Sequence, residues 1–258
     1  VATAADLSGR HYGDPVRRLI PDAGDLPNEG LVEAYPWPEG PWTRACMVMS
    51  LDGGIAGPDG VSGSLSSPAD RAVLAATRAL ADAYLVGART VRAEGYRRVR
   101  ARREVAARRA AAGGAPAPVL AIVSGGCRFD WSSTDFQYSD RAPMILTGQR
   151  SADADRQAAR RAGCDVVVLP GDRVEPGEAL AVLHDRGLRH VTVEGGADLL
   201  AQVVSAGLLD EVDLTLAPRL VGASSRPRGG EPVLHGLQLA QLLEDEGFLF
   251  GRYVRGAG

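Results

Sequence analysis

Short apolar runs that end on glycine or small polar residues recur along the chain, and most are followed by helical spacing. Residues 43–51 (TRACMVMSL) are a compact apolar run closed by Asp52-Gly53-Gly54, the pattern of a buried strand. Residues 83–86, 119–123, 143–147, 166–169 and 190–193 are further runs of strand length. Between them, residues 68–81, 104–112, 152–162, 176–186 and 197–206, and a segment opening at Ala88, carry apolar positions at helical spacing. Ser66 or Ser67 can cap the helix at 68, Pro68 suits its first turn, and Asp70 favours its positive end. Residues 211–217 alternate as a strand, 218–232 form a long Gly/Pro/Arg loop, and 247–255 read as a terminal, antiparallel strand. Strands alternating with helices predict an α/β fold with a mostly parallel sheet covered on both faces. Residues 1–44, rich in proline and glycine, read as an extension with a short helix near 28–35 that wraps the core or a partner subunit. Trp37 and Trp42 read as packing residues, and residues 45–258 as one domain.

Three strand ends close on residues suited to touching a ligand. After Val191-Thr192-Val193 come Glu194 and then Gly195-Gly196, directly before a helix. Two residues without side chains let a ligand reach the backbone, and free N–H groups at a helix start suit a phosphate. The alternative is a tight strand–helix turn with no ligand. Gly87-Ala88-Arg89-Thr90 forms a second such junction, and Ser124-Gly125-Gly126 ends a third strand. Nine arginines fall between Arg89 and Arg109 with only two glutamates. Most read as a solvated helix face; Arg89 and Arg92, beside a helix start, are candidates for phosphate contact.

Composition narrows the chemistry. The formal charge of −3 gives no general attraction to nucleic acid or an anionic membrane, and no run approaches the roughly 18 apolar residues of a membrane span. Cys46, Cys127 and Cys164 are widely spaced and read as reduced thiols of a cytoplasmic protein. All 29 basic residues are arginine, which excludes a phosphate-loop lysine, a pyridoxal Schiff base and a lysine general base. His11, His184, His190 and His235 lack the HxH and HxxxH spacings of zinc hydrolases, so no metal is expected.

SLDGGIAG at 50–57, DAYLVGARTVRAEGY at 82–96, and VEGGADLL with GLLDEVDLTLAPRLVG within 193–222 resemble the reductase domain of bifunctional riboflavin-biosynthesis enzymes. The resemblance spans residues 45–255. It implies a three-layer α/β/α fold of the dihydrofolate reductase type, and NADPH as cofactor. On that likeness Gly87, Ala88, Arg89, Thr90, Ser124 and Gly125 hold the adenosine side with its 2′-phosphate. Gly195 and Gly196 cradle the pyrophosphate, and Leu199 joins the cofactor-binding set. Asp52 ends the first strand beside the nicotinamide half, Glu194 contacts substrate or nicotinamide ribose, and Ser66 and Ser67 stand at the substrate mouth. Members are commonly homodimers, for which the strand at 248–254 and the 1–44 extension are suitable material.

Two departures from the family pattern bear on the substrate. The HxE and CxxC elements of the zinc deaminase half are absent from these residues, so the resemblance implies the reductase alone. SLSSPAD and EGYRRVR replace two segments that shape the family's pyrimidine site. Ser-Pro-Ala-Asp is instead similar to the Pro-x-Asp of dihydrofolate reductase, which implies that Asp70 pairs with a 2-amino-pyrimidine edge and assists proton transfer. Three readings follow. The first is an NADPH-dependent reductase of a 5-amino-6-(ribosylamino)pyrimidine phosphate, such as 5-amino-6-(5-phosphoribosylamino)uracil, with Arg97, Arg98 or Arg100 on the substrate phosphate. The second is a dihydrofolate or pterin reductase centred on Asp70. The third is a nucleotide-binding regulatory protein without turnover.

Overall fold

The computed structural model describes residues 15–100, 103–132, 136–222 and 233–256. In chain order the strands are β1 (Val16–Ile20), β2 (Gly24–Leu26), β3 (Trp42–Ser50), β4 (Ala83–Gly87), β5 (Val119–Val123), β6 (Met144–Thr147), β7 (Asp165–Val168), β8 (His190–Val193), β9 (Glu211–Ala217), β10 (Gln238–Asp245) and β11 (Phe248–Val254). The helices are α1 (Leu31–Ala34), α2 (Pro68–Ala79), α3 (Ala88–Ala93), α4 (Arg103–Ala111), α5 (Asp153–Arg161), α6 (Pro176–Asp185) and α7 (Ala197–Ser205).

Among the described residues eleven strands join one sheet in the order β2-β1-β10-β11-β9-β3-β8-β4-β5-β6-β7. The seven from β9 to β7 run parallel, and β11, β10, β1 and β2 add antiparallel pairs at the other end. Central parallel strands are buried on both faces, which is why β5 and β6 are almost wholly apolar. One core packs α6 and α7 against Leu85, Ala121, Leu146 and Val193; another packs Leu120, Ile122 and Ile145 with Ala159 of α5. A third gathers Val16, Leu31, Tyr35, Leu65, Val73, Leu243 and Phe250, so the segment before β3 is part of the core.

The expected antiparallel end strand is β11, but it is one of four. β1 and β2 arise from the segment expected to be an extension, and β10 falls where the sequence pattern predicts no element. β10 reads QLAQLLED, with no β-branched residue, so its propensity does not announce a strand. Its signal lies in the following Glu246-Gly247, both at positive φ (47° and 80°), as a tight hairpin turn requires. β1 is short and arginine-rich, yet Val16 points into the core and Arg17 pairs with Glu244 at 2.9 Å. Residues 1–14 of the expected extension and 223–232 of the expected long loop lie outside the described residues. Among the described residues no helix is long and apolar enough to cross a membrane.

A buried ionic cluster ties β3 to the antiparallel end. Arg44, fully buried, stands 2.9 Å from Glu211 and 3.5 Å from Asp213, with its guanidinium 3.9 Å over the Trp37 ring. Arg252 donates two hydrogen bonds to Glu211, at 2.9 and 3.0 Å, and Trp42 Nε1 donates a third at 3.1 Å. The two tryptophans therefore pack and satisfy buried charge.

Candidate active site

The carboxyl ends of β4, β5 and β8 open on one cavity of about 1030 Å³, closed on its other side by α2 and the loop before it. Open parallel sheets place ligands at such strand ends. At its centre the two glycine junctions meet: the Gly87 N–H donates to Gly195 O at 2.8 Å, and the Glu194 N–H to Leu85 O at 3.0 Å. Gly195 has φ +104°, open only to glycine, and Gly196 packs so closely that a Cβ there would come 2.7 Å from Thr90 Oγ1. Gly196 is the N-cap of α7, whose first turn has no side-chain cap and lines the cavity through Ala197, Asp198 and Leu199.

The opposite wall belongs to α2. Ser67 accepts the Asp70 N–H at 3.0 Å and caps the helix, with Pro68 in the first turn. That fixes Asp70, which is 7% exposed and accepts a hydrogen bond from Ser66 Oγ at 2.5 Å. Asp70, Leu74 and Arg78, spaced four apart and therefore on one helix face, all line the cavity. The preceding loop is anchored across the cavity, where the Ser62 N–H donates to Glu94 at 2.8 Å.

Glu194 joins the two walls. Its side chain is 3% exposed, and both carboxylate oxygens are engaged. Arg78 donates from Nε to Oε1 at 2.5 Å and from Nη2 to Oε2, and the Tyr96 hydroxyl donates to Oε2 at 2.7 Å. Burial opposes the charge on Arg78, but Glu194 outweighs it and holds the guanidinium above its ordinary pKa. Burial and the same carboxylate push the Tyr96 phenol well up. With both oxygens taken up by donors, the carboxylate of Glu194 is fixed in position. Cys46 also lines the cavity; burial, then Asp213, raise its thiol well above the usual range, which favours the neutral form.

Of the residues singled out in the sequence, Gly87, Ala88, Arg89, Thr90, Gly125, Glu194, Gly195, Gly196, Leu199, Ser66 and Asp70 line this cavity. Asp52, Ser67, Ser124, Arg97 and Arg98 are not among its lining residues. Asp52 accepts from Ser50 Oγ at 2.6 Å and from the Gly222 N–H at 2.7 Å, holding the turn after β3 against the segment after β9. Those bonds, Ser50 first, lower its pKa. Ser67 is consumed as a helix cap, and Ser124 is buried, accepting the Cys127 N–H at 3.1 Å. Arg97 and Arg98 are exposed on the segment after α3, and Arg100 donates to Tyr138 O at 3.1 Å. The arginines that do reach the cavity are Arg71, Arg78, Arg89, Arg92 and Arg173. Arg78 is legible in the sequence as the position eight residues beyond Asp70. Tyr96 and Arg173 carry no sequence signal.

Comparison with known proteins agrees with this architecture. The family model described as the RibD C-terminal domain matches residues 41–247. A 2,5-diamino-6-ribosylamino-4(3H)-pyrimidinone 5′-phosphate reductase of Methanothermobacter thermautotrophicus is 31% identical over 183 residues, covering 70% of this chain and 80% of that protein. Its counterpart in Archaeoglobus fulgidus is 28% identical over 187 residues, 72% of this chain and 84% of the relative. Among solved structures, a pyrimidine reductase-like protein from Corynebacterium diphtheriae superposes with a TM-score of 0.81 at 29% identity, over 90% of this chain and 99% of that one. With three glycine-lined strand ends in one cavity and a family match across most of the chain, this protein belongs to the RibD C-terminal domain family.

Proposed function

We propose that the protein is an NADPH-dependent reductase of the riboflavin-pathway type, acting on a ribosylamino-pyrimidine 5′-phosphate. The observation that carries this reading is the single cavity with two chemically different walls: glycines and a helix start on one side, Asp70, Leu74 and Arg78 on the other. The names of the archaeal relatives support the same reaction class.

The residues present fit the cofactor. A Cβ at Gly196 would fill the cradle beside Thr90, and α7 offers uncapped N–H groups to a pyrophosphate. Gly87, Ala88, Thr90 and Gly125 continue that wall, and Arg89 and Arg173, which also line it, are the candidates for a 2′-phosphate. When bound, NADPH would supply the hydride. The chain's own work is positioning and electrostatics. Glu194, fixed by Arg78 and Tyr96, stands as a negative charge at the junction of the walls, where positive charge at the reacting carbon and nitrogen is stabilised. Asp70 accepts from the donor edge of the pyrimidine, and Arg71 beside it takes the phosphate, in place of the exposed Arg97 and Arg98. Asp70 equally favours a second reading, a dihydropterin substrate with the same donor edge.

We assign the working unit as a homodimer. Register places Ile20, Leu239, Leu242, Leu249, Leu214 and Leu216 on the sheet face opposite Leu243 and Phe250, an apolar surface suited to a second copy. Three free thiols agree with a cytoplasmic location.

The test is loss of reduced-nicotinamide absorbance with purified protein and the pyrimidine ribosyl phosphate, with the reduced ribityl product identified by mass spectrometry. Turnover that requires both components supports the reading. NADPH binding without turnover of pyrimidine or dihydropterin would leave a regulatory nucleotide-binding protein.

A further inference from the structure

We infer that Arg97 and Arg98, exposed beside the cavity but outside it, draw anionic ligands to its mouth and touch none of them once bound. Steering of this kind presupposes the phosphate-bearing cofactor and substrate proposed above, and it assigns a purpose to arginines that the cavity leaves unused.

The backbone holds the pair at the rim. Tyr96, just before them, lines the cavity and donates its hydroxyl to Glu194 at 2.7 Å. Just after them, the Val99 N–H donates to Ser139 Oγ at 3.0 Å, and Val99 O accepts the Asp140 N–H at 3.0 Å. Only Arg97 and Arg98 span the interval between these anchors, so both side chains start beside the mouth. Both residues are exposed, and neither has a hydrogen-bond or ion-pair partner among the described residues. Arg100 follows on the same segment, where its Nε donates to Tyr138 O at 3.1 Å. Adjacent like charges without a counter-charge repel one another. What such an arrangement supplies is a field in the solvent around it.

The charges of the cavity itself nearly cancel. Glu194 is paired with Arg78, and Asp198 lies 3.5 Å from Arg89. Among the other lining residues, Arg71, Arg92 and Arg173 stand against Asp70 and Glu94. The chain as a whole carries a formal charge of −3, which repels an anion at long range. Arg97 and Arg98 turn the balance at the mouth clearly positive. A phosphate-bearing ligand then meets an attractive field there, concentrated by the low-dielectric walls of the cleft. Because neither arginine lines the cavity, both act on the rate of encounter and not on the bound complex.

The experiment follows binding of NADPH to the purified intact chain by stopped-flow fluorescence. Ionic strength is varied from about 0.01 M to about 1 M, over which the screening length shrinks from roughly 30 Å to roughly 3 Å. The double variant Arg97→Gln, Arg98→Gln is compared with the parent. A second double variant, Arg17→Gln with Arg18→Gln, makes the same charge change on β1, towards the far end of the sheet. At the lowest ionic strength the rim variant is expected to associate at least about threefold more slowly than the parent, a modest part of what steering can supply. Its dissociation rate stays that of the parent, and the two association rates converge as salt is raised. The β1 variant is expected to keep most of the parent rate.

Equal association rates in parent and rim variant at low salt overturn the steering and leave the cofactor reading intact. Faster dissociation at unchanged association overturns it as well, since the arginines would then contact the bound cofactor. An equal loss in the β1 variant traces the effect to net charge and overturns the part given to the rim. No saturable binding of NADPH by the parent sinks the cofactor reading itself, and the steering of NADPH with it.

Discussion

Gly196 is where one atom decides the most. A methyl group there meets Thr90 Oγ1 at 2.7 Å, so Thr90 must rotate or the cradle must widen. Gly196→Ala is expected to weaken NADPH binding at least about tenfold, or about 1.4 kcal/mol, in a fluorescence titration, with the melting temperature little changed. Unaltered affinity would show that the cofactor lies elsewhere. Away from the cavity, Asp213 stores a pH dependence. Burial raises its carboxyl pKa well above the ordinary range, Arg44 pulls it back, and Glu211 raises it again. A carboxyl raised on folding contributes stability that is full below its unfolded pKa of about 3.9 and is lost as pH rises through its folded value. Asp213→Asn removes that loss, and its amide donates to Glu211 in the proton's place. The variant's melting temperature relative to the parent is therefore expected to climb as pH is raised from about 4 towards neutrality. A constant difference would mean that Asp213 is ionised in the fold at every pH.

Among the elements, α2 matters most to the site, and its start is legible in the sequence. Serine before proline, then aspartate at the third helical position, is a capping pattern with a physical cause, and the fold settles the choice between the two serines in favour of Ser67. Ser67→Ala is expected to cost about 1 kcal/mol and lower the melting temperature by about 2–4 °C. Because the cap also pins Asp70, KM for the pyrimidine should rise while NADPH affinity holds; a change in stability alone would detach the cap from the site. The parallel strands and their glycine-ended turns are equally legible, since glycine marks the end of a buried apolar run whether or not a ligand follows. The antiparallel end is not. β10 is built of Leu, Gln and Glu and takes strand form only because β1 and β11 pair with it on both sides. Asp52 and Arg97 show the corresponding limit within the site. Residue type and position in a motif suit both to ligand contact, but tertiary hydrogen bonds claim the first and exposure removes the second. Helical spacing from Asp70 puts Arg78 on the cavity face, but its pairing with Glu194, and the part of Tyr96, come to light only through the geometry that brings the three together.

On the scale of the whole molecule, the sheet is unevenly covered. Its parallel half carries helices on both faces, whereas register leaves Ile20, Leu239, Leu242 and Leu249 together on the uncovered face of the antiparallel half. Ile20 and Leu239 remain 36% and 39% exposed. Sedimentation is expected to give a dimer, and Leu242→Lys with Leu249→Lys to give a folded monomer that still binds NADPH. A parent protein that sediments as a monomer would refute the assignment. The same scale holds the central claim: one cavity, bounded by strand ends on one side and α2 on the other, brings cofactor and pyrimidine together for hydride transfer. The direct measurement is isotope transfer. NADPH deuterated at the nicotinamide C4, in each of its two stereochemical forms, is incubated with enzyme and pyrimidine ribosyl phosphate, and the product is analysed by mass spectrometry. One form is expected to deliver a single deuterium to the sugar-derived carbon while the other delivers none. Product without deuterium from either form, or no product at all from protein saturated with NADPH, would contradict the account.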